Sequence, residues 1–229
     1  MDRSIGGAAG LSASSRRRLP GLTLPRLLEA DACTRPAYER FIAARFAEAY
    51  GASLYSFMPR LFGLHESDGR LVAAFGLRAA VDAPLFLERY LDAPAEQVLS
   101  RRLGRPVARD EIIEVGNLAG ATTGALRHLI PVLAEWLDRA GYRWLVFTGS
   151  PRLGNGFAQA GVALDTLGLA DPKRLPARER EAWGRYYEAQ PSVLLGDIRS
   201  GQRDLMERAA RRRAALAGTS AVPTAMGVS

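Results

Sequence analysis

The residue types best suited to chemistry fall between positions 114 and 124. Glu114 lies between Ile112-Ile113 and Val115, and an acid in an otherwise apolar strand is costly unless it is wet or paired. If its carboxyl faces a cleft, burial raises its pKa toward the range of a general base that takes a proton from an attacking amine. An ion pair with an arginine such as Arg78 or Arg127 is the more ordinary reading. Asn117 offers an amide to a substrate or to its own turn. Gly116, Gly120 and Gly124, with the hydroxyls of Thr122 and Thr123, precede a helical pattern. Unpaired N–H groups at such a helix start favour a phosphate, such as a pyrophosphate or that of a pantetheine arm. Glycines before a helix are equally ordinary turn residues.

Other chemistries find less support. No lysine followed by Ser or Thr comes after Gly124, and the glycine spacing of four and four departs from the two and three of the dinucleotide fingerprint. There is no Gly-x-Ser-x-Gly elbow; Ser150, after a strand, lacks a positioned base. Cys33, His65 and His128 are scattered without metal-ligand spacing, so no metal is expected. His65 reads as a hairpin-turn residue and His128 as a solvated or packing residue of a helix.

The positioning elements follow from periodicity. Tyr38, Phe41, Ile42, Phe46 and Tyr50 predict a helix from Pro36 that Gly51 terminates. Two apolar runs around Asp68-Gly69 predict a β-hairpin. Phe86 to Leu91 suggest a helical turn or two, and Pro94 and Gly104 bracket a helix over 95–103. A short strand, Ile112 to Val115, is followed by a loop over 116–124. Leu126, Leu129, Ile130, Leu133 and Leu137 then predict a helix, which Pro131 should kink or delay until about residue 130. Trp144 to Thr148 read as a central buried strand, completing a right-handed β-α-β unit. A short helix over 155–160, loops with a short helix over 167–185 and a last strand near Ser192 to Gly196 follow.

The length of 229 residues and an apolar content near one half suit one domain with appendages. Net charge is +7, of which residues 1–20 carry +3 and residues 199–229 carry +4. The body is thus neutral, which argues against a broad nucleic-acid face and leaves, at most, peripheral contact of the tails with an anionic membrane. We expect flexible basic tails at 1–20 and 201–229 around a domain at 21–200. Residues 202–216 have the pattern of a charged helix without a wide apolar stripe. The lone Cys33 fits a reducing compartment, and neither a secretory signal nor a spanning apolar run is visible, so the expected location is cytoplasmic.

Four stretches carry a likeness to a known family: Leu85 to Asp92, Ile113 to Ala119, Trp144 to Thr148 and Trp183 to Tyr187. From about Tyr50 to Gly196 the chain resembles the thermostable haemolysin family, whose fold is related to the GNAT N-acyltransferases and acyl-homoserine-lactone synthases. The resemblance implies an α/β fold with a mixed twisted sheet flanked by helices, in which the fourth strand splays from its neighbour. It implies transfer of an acyl group, expected to be fatty, from acyl-CoA or an acyl-carrier protein to the amine of a small acceptor, with no permanent cofactor. Glu114 and Asn117 would then be catalytic, while Val115, Gly116, Gly120, Thr122, Thr123 and Gly124 would bind the donor. The superfamily's Gln/Arg-x-x-Gly-x-Gly/Ala pattern is not reproduced, since Asn117 begins Asn-x-x-Gly-x-Thr, so both donors stay open. A membrane-active haemolysin and a catalytically silent acyl or carrier-protein binding module are the alternatives. Glu114→Gln is expected to keep the shape while removing the base, and Gly120→Val to obstruct the donor loop.

Overall fold

The computed structural model describes residues 25–219. Asp68-Gly69 makes its hairpin: Gly69 adopts φ 84° between β2 (Arg60–His65) and β3 (Leu71–Ala79). Ahead of it stand β1 (Arg26–Glu29) and α1 (Arg35–Tyr50), the latter stopped by Gly51 in the left-handed conformation. A 3₁₀ turn (Phe86–Tyr90) and α2 (Ala95–Leu103) lead to β4 (Ile112–Gly120), α3 (Thr123–Arg139), β5 (Trp144–Gly149) and α4 (Pro151–Ala160). The chain continues through β6 (Asp165–Leu169), α5 (Ala177–Ala182), β7 (Ser192–Asp197) and α6 (Ile198–Thr219).

Among the described residues the strands form one seven-stranded sheet in the order β1-β2-β3-β4-β5-β7-β6. Only the β4–β5 pair is parallel, as α3 must carry the chain from the end of one strand to the start of the other. Helices α3, α4 and α6 close a core on one face with Phe75, Ile113, Leu133 and Phe147. The opposite face is covered by α1 and by the segment from Ala80 to Val107, whose Leu87 and Leu99 are fully buried.

Four expectations change. β4 runs on to Gly120, so the first part of the expected loop is strand, held by pairing to β3. α3 starts at Thr123 and passes through Pro131, because burial of Leu129, Ile130, Leu133 and Leu137 offsets one lost backbone bond, and Pro131 lies on the exposed side. β1 and β6 were not foreseen; both are short edge strands with largely exposed residues and no clean alternation. The boundary expected at residue 200 falls inside α6, which packs along α3 with Leu205 against the core, while Arg208 donates to the Gln159 carbonyl at 3.0 Å. The basic segment 1–20 and residues 220–229 lie outside the described residues.

Candidate functional site

β4 and β5 begin as neighbours, paired from Ile112 opposite Trp144 to Val115 opposite Phe147. Beyond that point β4 stays with β3 through Gly120, whereas Thr148 and Gly149 stay with β7. The two strands part, and a cavity of about 1130 Å³ occupies the fork. Because the sheet is open there, the cavity reaches both faces: Glu114, Phe86 and Tyr186 line it from one side, Ile130 and Phe157 from the other.

The splayed half of β4 carries a bulge. Ala74 pairs with Ala119 but Gly76 pairs with Gly116, so β4 has one extra residue, and Asn117 takes φ 52°. Asn is among the few residues that tolerate this conformation. The Asn117 amide oxygen accepts the Met58 N–H at 2.8 Å, tying the bulge to the segment before β2. Gly116 also serves Met58: a Cβ there would stand 2.3 Å from Met58 Cε, and one on Gly76 2.3 Å from Met58 Cβ. The Asn117 side chain is thus engaged by Met58, distant in sequence, rather than by its own turn, and Gly116 lines the cavity while making room for a thioether.

Glu114 is 2% exposed and lines the cavity. Its Oε2 accepts the Phe86 N–H at 2.8 Å and its Oε1 the Leu87 N–H at 2.9 Å. The carboxylate is therefore a strut holding the start of the Phe86–Tyr90 turn against β4. Burial pushes its pKa up to about 7, against the opposing pull of the two N–H donors and of Arg78. Arg78 stands opposite it in the β3–β4 register, yet donates to the Pro84 carbonyl at 3.1 Å rather than to the carboxylate. Glutamine at 114 has a single acceptor oxygen, so Glu114→Gln would leave one of two amides facing an NH₂ group and would not preserve the shape.

The end of the fork is the start of α3. Thr122 occupies its N-cap without a side-chain cap bond, and Ala125 N–H reaches the Thr122 carbonyl at 3.1 Å. Val115, Gly120, Thr122 and Gly124 all line the cavity; a Cβ on Gly124 would meet nothing nearer than Thr122 Oγ1 at 3.8 Å. The side chains of Thr123 and Arg127 lie outside the described residues. Ser150 caps α4, its hydroxyl accepting the Leu153 N–H at 3.4 Å. His65 bonds Tyr38 Oη at 2.9 Å and the Gly69 carbonyl at 3.0 Å, away from the fork, and His128 is exposed on α3.

Reasoning from individual residues missed the aromatic wall. The Tyr186 ring sits 5.1 Å from Tyr50 and 5.2 Å from Trp183, and Phe46 and Phe86 flank Trp183 at 5.9 Å each. Tyr186 donates to the Thr148 carbonyl at 3.2 Å, and burial pushes its hydroxyl pKa up, so it remains a neutral donor. Gly184 makes this wall possible: its φ is 54°, and a Cβ would lie 2.4 Å from the Tyr50 carbonyl oxygen. The cluster Trp183 to Tyr187 was the available signal, but nothing in its spacing says which strand end it covers. Arg89 on the 3₁₀ turn forms an ion pair with Glu179 on α5, strapping two cavity-lining segments together.

The fold has solved counterparts. The lactone synthase BjaI, described as CoA-dependent and solved with MTA, superposes with a TM-score of 0.53 at 16% identity, covering 80% of this chain and 89% of that one. TofI in an apo form gives 0.51 at 15% identity, covering 76% and 91%. FeeM, an N-acyl amino acid synthase from uncultured soil microbes, gives 0.50 at 14% identity, covering 79% and 94%. At such identities the likeness is one of fold, and the fold is the GNAT-like mixed sheet expected. No curated protein matches by sequence. The profile described as Thermostable hemolysin does match, over residues 28–202, a span that takes in the whole fork and the aromatic wall, and on that ground the chain belongs to the thermostable hemolysin family.

Proposed function

We propose that the β4–β5 fork is an acyl-transfer site, in which the amine of a small acceptor attacks the thioester of an acyl donor. The observation that carries this reading is a large cavity running through a split sheet, with a buried carboxyl poised to titrate near neutrality on its wall. The freed edge of β4 presents backbone groups that lack a strand neighbour and need ligand or water, and an N–H among them suits a developing oxyanion. The first turn of α3 suits the donor's phosphate. Glu114 uses one lone pair on each oxygen for the Phe86 and Leu87 amides, and the remaining lone pairs accept the amine's proton, directly or through water. The C–N bond forms, the C–S bond breaks, and the departing thiolate is protonated. The aromatic wall suits a fatty acyl chain.

The fold relationship to acyl-homoserine lactone synthases and an N-acyl amino acid synthase supports the reading, with acyl-CoA or an acyl-carrier protein as donor and no permanent cofactor. A non-catalytic acyl-binding module is favoured by one observation, that both oxygens of Glu114 already hold backbone donors. For the lytic reading, no helix among the described residues is long and apolar enough to cross a membrane. Incubation with long-chain acyl-CoA and, separately, acyl-carrier protein, together with a pool of amino acids and amines, tests the proposal. Release of free thiol with an acylated amine seen by mass spectrometry is expected. Binding without thiol release selects the silent module, and absence of both overturns the donor assignment.

A further inference from the structure

Four arginines line the cavity: Arg45, Arg78, Arg89 and Arg152. Arg45 pairs with Glu48 at 2.8 Å, and Arg89 pairs with Glu179. Arg152 also has an interaction partner. Arg78 differs: among the described residues it has no carboxylate within ion-pair distance, and one nitrogen of its guanidinium is anchored on the Pro84 carbonyl at 3.1 Å. Glu114 lies within its electrostatic reach, but no carboxylate touches it, so a cation fixed in place and half buried keeps guanidinium N–H groups for a ligand in a partly desolvated cavity.

Its place relative to Glu114 is set by the backbone. The two are register partners on adjacent antiparallel strands, so their side chains leave the same face of the sheet about 5 Å apart at Cβ. Glu114 is fixed by the Phe86 and Leu87 amides, so both groups are held from behind while facing one volume. A positive fork beside a proton-accepting carboxylate, at the span of one small molecule, is complementary to an amine and a carboxylate carried on the same or neighbouring carbons.

Building on the acyl-transfer reading of this fork, we infer that the acceptor is an α-amino acid or a close analogue, its carboxylate held by Arg78 while its amine is presented at Glu114. Arg78 is then a specificity residue that touches substrate. Arginine suits this role because its planar donors match a carboxylate bidentately.

The test compares two product-like probes, N-dodecanoylglycine and its neutral isostere N-dodecanoylglycinamide, titrated against the full chain by quenching of tryptophan fluorescence, with Trp183 in the cavity wall as reporter. The wild type is expected to bind the carboxylate about tenfold more tightly, the usual scale of a charge-assisted contact. Arg78→Met should bring the ratio to about one, while Arg45→Met, whose cation has Glu48, should leave it intact. Arg78→Lys, which keeps the charge and loses the fork, should retain only part of the preference and serves if the methionine variant does not fold. Equal affinities in the wild type, or a preference that survives both Arg78 variants, overturn the inference while leaving the acyl cavity standing. A role for Arg78 solely as an electrostatic neighbour of Glu114 predicts equal weakening of both probes and is likewise fatal to it. Failure of both probes to bind overturns the cavity reading and this inference with it.

Discussion

The two halves of β4 share a chain and a neighbour, β3, and differ in what lies on their other side. From Ile113 to Val115 the strand is paired on both sides and its residues are buried. From Gly116 to Gly120 it is paired on one side, bulged at Asn117 and built mostly of small residues. Double pairing satisfies the backbone and leaves side chains to do the work; single pairing leaves backbone groups in search of a partner. Glu114 sits next to the junction, so its side chain supports the first half and its carboxyl lines the space opened by the second.

Removing the strut should have the largest effect. Glu114→Ala strands two backbone N–H groups, each worth about 1–3 kcal/mol, so denaturant unfolding should show a loss of about 2–6 kcal/mol. Turnover, if the carboxylate is the base, should fall by about 10²–10⁴. A variant as stable as the wild type would dissolve the distinction between the two halves.

The same carboxyl sets a pH dependence. Its folded pKa of about 7 lies above the ordinary 4.5, so the folded state binds the proton more tightly than the unfolded. Its contribution to stability is fully present below 4.5 and is lost as pH rises through 7, by about 3 kcal/mol across the window. Glu114→Gln should flatten that part of the profile in chemical denaturation from pH 4 to 9. In the wild type, kcat/KM should rise through pH 7 as the base ionises. Parallel stability profiles in both proteins would mean that the carboxyl titrates elsewhere.

Glycine substitutions sharpen the comparison within the bulge. Gly76→Ala meets Met58 at Cβ, which cannot swing away, whereas Gly116→Ala meets the mobile Met58 Cε. Losses of about 3 and about 1 kcal/mol respectively are expected from thermal unfolding. Equal losses would show that the Met58 backbone, not its side chain, absorbs the strain. Smallest should be Gly124→Ala, where a Cβ has room and the helix gains propensity: stability within about 1 kcal/mol, with weaker donor binding in a titration with acyl-CoA. Donor affinity unchanged by Gly124→Ala would remove the first turn of α3 from the site.

Much of this architecture was legible in advance. The hairpin at Asp68-Gly69, the helix closed by Gly51, the 95–103 helix and the strand-helix-strand unit around Leu129 to Leu137 all follow from local periodicity and turn chemistry. The edge strands at 26–29 and 165–169 did not, because an exposed edge places few demands on side chains. At the candidate site, Glu114, Asn117 and the glycines could be singled out because an acid among β-branched residues and small residues before a helix are local anomalies.

What the chain by itself determined is thus the set of elements and the segment where chemistry is concentrated, since both depend on contacts between near neighbours in sequence. What only the tertiary structure decided is where the chemistry faces. Met58 reaching Asn117 across 59 residues, Phe86 and Leu87 meeting Glu114, and Gly184 docking on Tyr50 are all long-range events. The fork itself exists because β5 stays with β7 while β4 stays with β3, a choice made by the whole sheet rather than by either strand.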